Sequence, residues 1–491
     1  MEFGSIIQFL QDKSVLITGA TGFLAKIFVE KILRVQPNVK KIYLLLRAAD
    51  ANAAQERLQN EIIGKELFRL LREKYGTNLN SFISKKIIPL AGDVCSEDLG
   101  LKDLNIREEM MNELDVVLNF AATTDFNERY DIALGTNTIG AMQALCFAQK
   151  CVKVNLLVHV STAYVCGEGS GLIPEKPYQL GESLNGISGL DVDEEKRIVE
   201  HKLNELKGKG ATKLEFEEAL KDLGMRRAKA YGWPNTYVFT KAMGEMLIGH
   251  LKGNFPAVII RPAMVTSTCR EPFPGWLEGV KTIDALTVGY GKGRITCFLA
   301  DEKAIVDVIP ADIVVNAIIV AMVARYNEPA GLIYHVGSSV RNPVTYENLH
   351  DYGYRYFTKE PWIGKDGKPV KVQRVKVLNS MDSFHRYLAI RYLLLLKGLK
   401  IAATLCQHFE GMYNDLNRKI NLVLGLVELY RPYLFFQGVF DDTNTENLRI
   451  AARKNLGSEA EIFFFDSRSI DWDDYFLNAH GPGVVKYAVR R

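Results

Sequence analysis

The sequence holds few cysteines, and none in a pattern that carries chemistry. The seven are scattered from Cys95 to Cys406. No Cys-x-x-Cys pair and no Cys/His cluster at zinc spacing occurs, so neither a structural zinc nor a disulfide framework organises the chain. An odd, dispersed set reads as free thiols in a reducing compartment. Charge of one sign is missing too: 61 Lys and Arg against 58 Asp and Glu leave +3, too little to argue for nucleic acid. No run of about 18 uncharged apolar residues exists, so a spanning helix is not expected. The start, Met-Glu-Phe-Gly-Ser, leads into a structured motif by Val15, and neither a secretory signal nor an Arg- and Ser-rich transit segment is expected. There is no internal repeat and no low-complexity tract. What is present, 47% apolar and 24% charged residues over 491 positions, is ordinary globular composition, with room for one large α/β domain and an appendage.

Apolar runs set the rhythm. Ser14 to Thr18, Lys41 to Arg47, Ile87 to Leu90, Asp115 to Phe120, Leu156 to Val160 and Ala257 to Ile260 are continuous rather than alternating, which marks strands buried on both faces. Helical patterns lie between them, as from Ala25 to Val35. This βα alternation predicts an α/β fold with a Rossmann-type, doubly wound parallel sheet. A polar, helix-rich insertion is expected over 183–233. After about Pro343 the rhythm fades. The expected organisation is a dinucleotide-binding reductase domain over 1–345, a linker over 346–379 and a smaller, mostly helical domain over 380–491.

The turn after the first run reads Thr18-Gly19-Ala20-Thr21-Gly22-Phe23-Leu24-Ala25. Gly19 permits a tight turn, Gly22 lets backbone approach a pyrophosphate, and small Ala25 lets the helix pack close to the strand. Thr21, Phe23 and Leu24 then present the helix N-terminus to the phosphates. The second strand ends at Arg47, where an NAD enzyme would place a carboxylate on the ribose. An Arg there suits a 2′-phosphate, so NADPH is the expected cofactor. Asp93 and Val94 end the third strand, within reach of an adenine. Asn119 and Ala121 end the fourth, where small residues let a cofactor lie against backbone.

Tyr237 and Lys241 stand four apart, on one helix face. A carbonyl reductase must deliver a proton to oxygen as hydride reaches carbon. A tyrosine, with an ordinary pKa near 10, can do this when a neighbouring ammonium tunes it. The same ammonium can hold a nicotinamide ribose. The fifth strand runs into Ser161 and Thr162, either of which could polarise the carbonyl; the following Val165-Cys166-Gly167 turn favours Thr162. Asn137, on the helix after the fourth strand, is a candidate for holding a relay water, or a local helix Asn. Cys166 reads as a buried structural thiol rather than a nucleophile, and His159 as a satisfied core histidine. No metal site is expected.

With these residues in place, the chain resembles the plant alcohol-forming fatty acyl-CoA reductases of the male-sterility type. The likeness lies in ITGATGFLA, LVHVSTAYVCGE, GWPNTYVFTKAMGEM, IIRP, EPFPGW, IPADIVVNA, YHVGSS and the late PYLFFQGVFDD, and spans nearly the whole chain. The last is specific, since sugar-nucleotide epimerases lack such a tail. The resemblance implies reduction of a long-chain fatty acyl-CoA to a primary alcohol and CoA with two NADPH, through an aldehyde, with Pro262 of IIRP beside the cofactor. Composition and spacing alone imply only a carbonyl reductase. A sugar-nucleotide epimerase or other carbonyl reductase, or a catalytically silent NADP-binding scaffold, are the alternatives. Basic residues of the insertion, Arg226 and Arg227, are expected to meet CoA phosphates.

Residues 384–406 are strongly apolar, with a Leu393-Leu394-Leu395-Leu396 run, yet Arg386, Arg391, Lys397 and Lys400 interrupt them. Spanning is disfavoured; a peripheral contact with a membrane surface is the expectation, with packing against the reductase domain as the alternative. The resemblance implies a cytosol-facing membrane, that of the endoplasmic reticulum, or else the cytoplasm. Oligomeric state is not legible.

Overall fold

The computed structural model describes residues 3–280, 282–295, 297–328, 331–364, 366–405 and 409–488. Strand β1 (Ser14–Thr18) leads through the glycine turn into helix α1 (Phe23–Val35). The chain continues through β2 (Lys41–Leu46), β3 (Ile87–Ala91), β4 (Val116–Asn119), α2 (Gly140–Lys150), β5 (Leu157–Val160), α3 (Thr236–Leu251), β6 (Ala257–Pro262), α4 (Ala311–Ala324) and β7 (Leu332–Val336). The strands form one sheet in the order β7-β6-β5-β4-β1-β2-β3, parallel throughout. This is the doubly wound arrangement, with its switch point between β1 and β4.

The Val/Ile/Leu runs are continuous because both sheet faces are covered: every residue of β1 and of β6 is buried. Every residue of α4 is buried as well, which is why it reads as apolar all round rather than amphipathic. The strand β7, paired in register with β6 (Ile333↔Ile259), is not among the six expected; its five residues include Tyr334 and His335 and lack a plain aliphatic signal.

The later chain departs from the expected division. The supposed linker opens with a helix, Tyr346–Lys359, started by a capping box between Thr345 and Asn348. The Gly-, Pro- and Lys-rich part that follows is largely irregular. Residues 381–434 form helices Met381–Leu388, Leu394–Leu405 and Glu410–Leu434, around a small core of Leu299, Leu378, Phe384, Leu388 and Ile420. What comes next belongs to the main core. The strand Gln437–Phe440 pairs in parallel with Ser170–Ile173, the helix Thr443–Asn455 packs on β7 and α4, and Leu448, Phe463, Phe465 and Trp472 share the reductase core. The expected unit 380–491 therefore lies in two environments.

Candidate active site

The carboxyl ends of the strands form the floor of the site. Gly19 sits at φ +64, and a Cβ there would stand 2.5 Å from the Ala121 nitrogen. Glycine is required both for the left-handed turn and for the close approach of β4's end. Gly22 caps α1 without any side-chain cap bond, which leaves the first-turn amides open to an anion. Thr21 and Leu24 are part-buried around that turn, and Phe23 stacks on Trp276 at 5.2 Å. Val94, Asn119, Ala121 and Pro262 are buried at the ends of their strands. Asp93 accepts the Cys95 amide at 2.9 Å. Arg47 is exposed just beyond β2 and forms no ion pair among the described residues. This cradle fits a dinucleotide: backbone close enough for a pyrophosphate, and a helix dipole aimed at it.

Helix α3 is started by Asn235, whose side chain accepts the Val238 amide at 3.1 Å. Its first two turns carry Tyr237 and Lys241 into the site. Burial pushes the Tyr237 phenol up to about 12, while a hydrogen bond with Thr162 works the other way. Lys241 is buried; its Nζ donates to the Val160 carbonyl at 2.7 Å and lies 3.3 Å from Nε2 of His159. Burial pulls it down to about 8, against the attraction of Glu245. Thr162 thus reaches Tyr237, whereas the Ser161 Oγ is buried with no hydrogen-bond partner among the described residues.

Asn137 lies in a π-helical turn, Leu134–Ile139. Its side chain accepts the Thr123 amide at 3.0 Å and donates to the Thr123 carbonyl at 3.2 Å and to Thr240 Oγ1 at 3.0 Å. It clamps the loop after β4 to α3. Its carbonyl would stand 2.3 Å from a Cβ at position 244, so Gly244 lets the two helices close up.

Several residues stand differently from their sequence reading. His159 is buried and hydrogen-bonded, but its partners are Asn119 and Lys241, so it belongs to the site. Cys166 agrees with its reading: burial pushes the thiol up to about 12, which removes it as a nucleophile. Arg227 is committed to an ion pair with Glu195, a buried carboxylate that also accepts the Tyr130 hydroxyl at 2.7 Å; it is not an open phosphate ligand. Arg226 pairs with Asp222 on an exposed surface. Tyr433 went unread. At the end of the helix Glu410–Leu434 it accepts a hydrogen bond from Asn235 at 2.7 Å and stacks on Phe126 at 4.9 Å, which in turn stacks on Tyr237 at 5.8 Å. Only PYLFFQGVFDD hinted that this segment matters.

A doubly wound parallel sheet with a glycine turn after β1, a hydroxyl beyond β5 and a Tyr/Lys pair on the next long helix defines an extended short-chain dehydrogenase/reductase. Comparison with known proteins sharpens this. Two family models described as male sterility protein match residues 17–318 and 390–491, the first an NAD-binding domain. The chain is 57% identical to the alcohol-forming fatty acyl-CoA reductase of Simmondsia chinensis over 99% of both chains. It is 51% identical to fatty acyl-CoA reductase 1 of Arabidopsis thaliana, again over 99% of both. It belongs to the male-sterility family of fatty acyl-CoA reductases. Among solved structures, the terminal reductase domain of the myxalamid biosynthetic pathway aligns with TM-score 0.55 at 18% identity, covering 93% of this chain and 89% of that one. A reductase domain of a nonribosomal peptide synthetase from Mycobacterium tuberculosis aligns with TM-score 0.54 at 16% identity, covering 99% and 92%. Both likenesses are of fold.

Proposed function

We propose that this protein reduces a long-chain fatty acyl-CoA to the primary alcohol and CoA, with NADPH as reductant. The observation that carries this reading is the convergence of Thr162, Tyr237 and Lys241 in a chain so like an alcohol-forming fatty acyl-CoA reductase along its whole length.

The dinucleotide, when bound, supplies hydride. Thr162 donates to the thioester oxygen and polarises the carbonyl. As the carbon becomes tetrahedral, Tyr237 transfers its proton to that oxygen. A part-buried phenol held near 12 is a weak acid; a protonated Lys241 one turn away favours the phenolate and brings the proton within reach. Return of that proton to the Tyr237 phenolate lets the tetrahedral carbon collapse, which expels CoA thiolate and leaves an aldehyde. In the second reduction Tyr237 protonates the alkoxide. Preference for NADPH over NADH rests on Arg47, exposed at the end of β2, where a guanidinium can pair with a 2′-phosphate.

A pocket with an apolar lining suits part of the acyl chain. Tyr290, Phe298, Leu349, Tyr352, Tyr356 and Phe476 line it. Tyr346, also on its wall, donates to the Tyr433 carbonyl at 3.0 Å. This bond and the ring contacts of Tyr433 with Phe126 and of Phe126 with Tyr237 connect the pocket wall to the proton donor.

Contact with a membrane surface is part of the same proposal. No helix of the described residues is long and apolar enough to cross a membrane. Leu394, Leu395, Ile401 and Leu422 are nevertheless exposed by 56–64%, beside Arg391, Lys397 and Lys400. Cys406, the end of the expected segment, lies outside the described residues. A basic, apolar surface suits the headgroup layer of an anionic, cytosol-facing membrane, where both a long-chain substrate and its alcohol partition. Incubation of the purified protein with hexadecanoyl-CoA and NADPH tests the reaction. Two NADPH consumed per hexadecanol formed, with CoA released, is the expected result; oxidation of NADPH without alcohol, or none at all, rejects it.

A further inference from the structure

His159 is a buried titratable group that the steps above do not use. It lies in a row that crosses the sheet. Thr18 on β1, Asn119 on β4 and His159 on β5 are register neighbours, Thr18↔Asn119 and Asn119↔His159. In-register residues of parallel strands project to the same face, so the three side chains meet there. All three are fully buried.

The hydrogen bonds along the row have a direction. The Thr18 hydroxyl donates to Asn119 Oδ1 at 2.6 Å, and the Ala121 amide donates to the same oxygen at 3.2 Å. A backbone N–H can only donate, so it fixes which end of the Asn119 amide is oxygen. The Asn119 nitrogen must then donate to His159 Nδ1, 3.0 Å away. With Nδ1 accepting, a neutral imidazole carries its proton on Nε2, and Nε2 faces Lys241 Nζ at 3.3 Å. An amine accepts that proton; an ammonium sets a proton against it. The remaining titratable groups around the pair are Tyr237 and Glu245 on α3, and Glu245 is bound by Arg261 of β6 at 2.6 Å. Among the described residues Lys241 thus meets no free carboxylate, and the displacement of both groups is in keeping: burial holds His159 well below the ordinary histidine range and pulls Lys241 down.

We infer that His159 is a positioning residue for Lys241, held by Asn119 as the neutral Nε2–H tautomer, and that the row Thr18–Asn119–His159 ties the protonation of Lys241 to the dinucleotide cradle. The inference takes from the proposed function only that Lys241 bonds the dinucleotide. Ala121, at one end of the row, is the residue against which Gly19 closes. Lys241, at the other, is one turn from Tyr237. A disturbance in the cradle therefore reaches the proton donor through three polar side chains rather than through loose packing.

The test reads binding before turnover. The NADPH dissociation constant is measured by tryptophan-to-nicotinamide fluorescence transfer from pH 7 to 9.5 for wild type, His159→Leu, His159→Gln, Asn119→Asp and the double variant Asn119→Asp/His159→Leu. In wild type, affinity should fall as pH rises through about 8, where Lys241 loses its proton. Removing the Nε2–H in His159→Leu should move that midpoint up by about one unit and lower kcat about tenfold with little change in KM for acyl-CoA, because the ammonium is less opposed but less well placed. His159→Gln, which can return an N–H to the Nε2 position, should restore most of both. Asn119→Asp is isosteric and accepts the same two donors, but it demands a proton on Nδ1 and so turns Nε2 into an acceptor. Its midpoint should also rise, and more than half of that rise should vanish in the double variant. Should His159→Leu fail to fold, the double variant is built on His159→Gln instead, which likewise removes the imidazole that Asn119→Asp would re-protonate. An unmoved midpoint in His159→Leu, or an Asn119→Asp shift that is the same with and without His159, overturns the inference. Wild type that binds NADPH with the expected midpoint but forms no alcohol would refute the proposed function and leave the role of His159 standing.

Discussion

The two parts of the C-terminal region have opposite fates, and the part richer in apolar residues leaves more of them exposed. In residues 381–434, Ile390 is 72% exposed and Leu394 62%, although the latter belongs to a run of four leucines. In residues 436–479, Phe440 is 2% exposed, Leu448 1% and Phe463 1%, although these sit among Asp, Glu, Arg and Asn. The difference is one of partners. The second part pairs with the strand Ser170–Ile173 and ties itself to the sheet by polar bonds: Thr445 Oγ1 donates to the His335 carbonyl at 2.7 Å, and Asn444 Nδ2 to the Ile333 carbonyl at 2.9 Å. The first part shares a small cluster with the reductase, Leu299 with Phe384, Leu388 and Ile420, and the Tyr433 bond to Asn235. Hydrophobicity says that a surface will be covered; long-range polar pairing says by what.

That comparison can be broken at several points. The largest effect is expected from the buried part. Phe440→Ala should cost about 3–5 kcal/mol and Leu448→Ala about 2–5 kcal/mol of stability, since each empties a packed core position; chemical denaturation measures both. Losses below about 1 kcal/mol would mean that residues 436–479 are an appendage after all. Leu394→Ser with Leu395→Ser should leave the unfolding transition within about 0.5 kcal/mol of wild type, as expected for exposed sites. The same double substitution should abolish flotation with anionic liposomes at low salt. Wild-type protein that stays in the soluble fraction would end the membrane proposal. A smaller effect is expected from Tyr433→Phe, which removes the acceptor of the Asn235 bond and should cost about 1 kcal/mol. A change in KM for acyl-CoA with none for NADPH would place Tyr433 on the substrate side. In the N-terminal half, Arg47→Glu should reverse the NADPH/NADH ratio of kcat/KM. A ratio that hardly moves assigns the 2′-phosphate to another residue.

Much of the site was legible because its signals are local. The Gly19–Ala25 turn, the run into Thr162 and the Tyr237/Lys241 spacing each fit within one strand, turn or helix, and six of the seven sheet strands announce themselves as aliphatic runs. What stayed hidden depends on distant partners. The role of His159 requires Lys241, 82 residues away, and that of Tyr433 requires Asn235, 198 residues away. Arg227 looked like an open cation because nothing in its own helix shows that Glu195 is buried beneath it. The strand β7 escaped because its polar and aromatic residues are satisfied by the C-terminal segment, as when the His335 ring bonds the Asp441 carbonyl at 2.9 Å.

The central claim is that Tyr237 gives the proton to the carbonyl oxygen of an acyl-CoA thioester. Tyr237→Phe tests it most directly, because the change removes one hydroxyl and little volume. With hexadecanoyl-CoA and NADPH, hexadecanol formation measured by gas chromatography should fall about 10²- to 10⁴-fold, the usual contribution of a positioned general acid, while the NADPH dissociation constant stays within about threefold of wild type. Alcohol formation within about threefold of wild type in the variant would contradict the account.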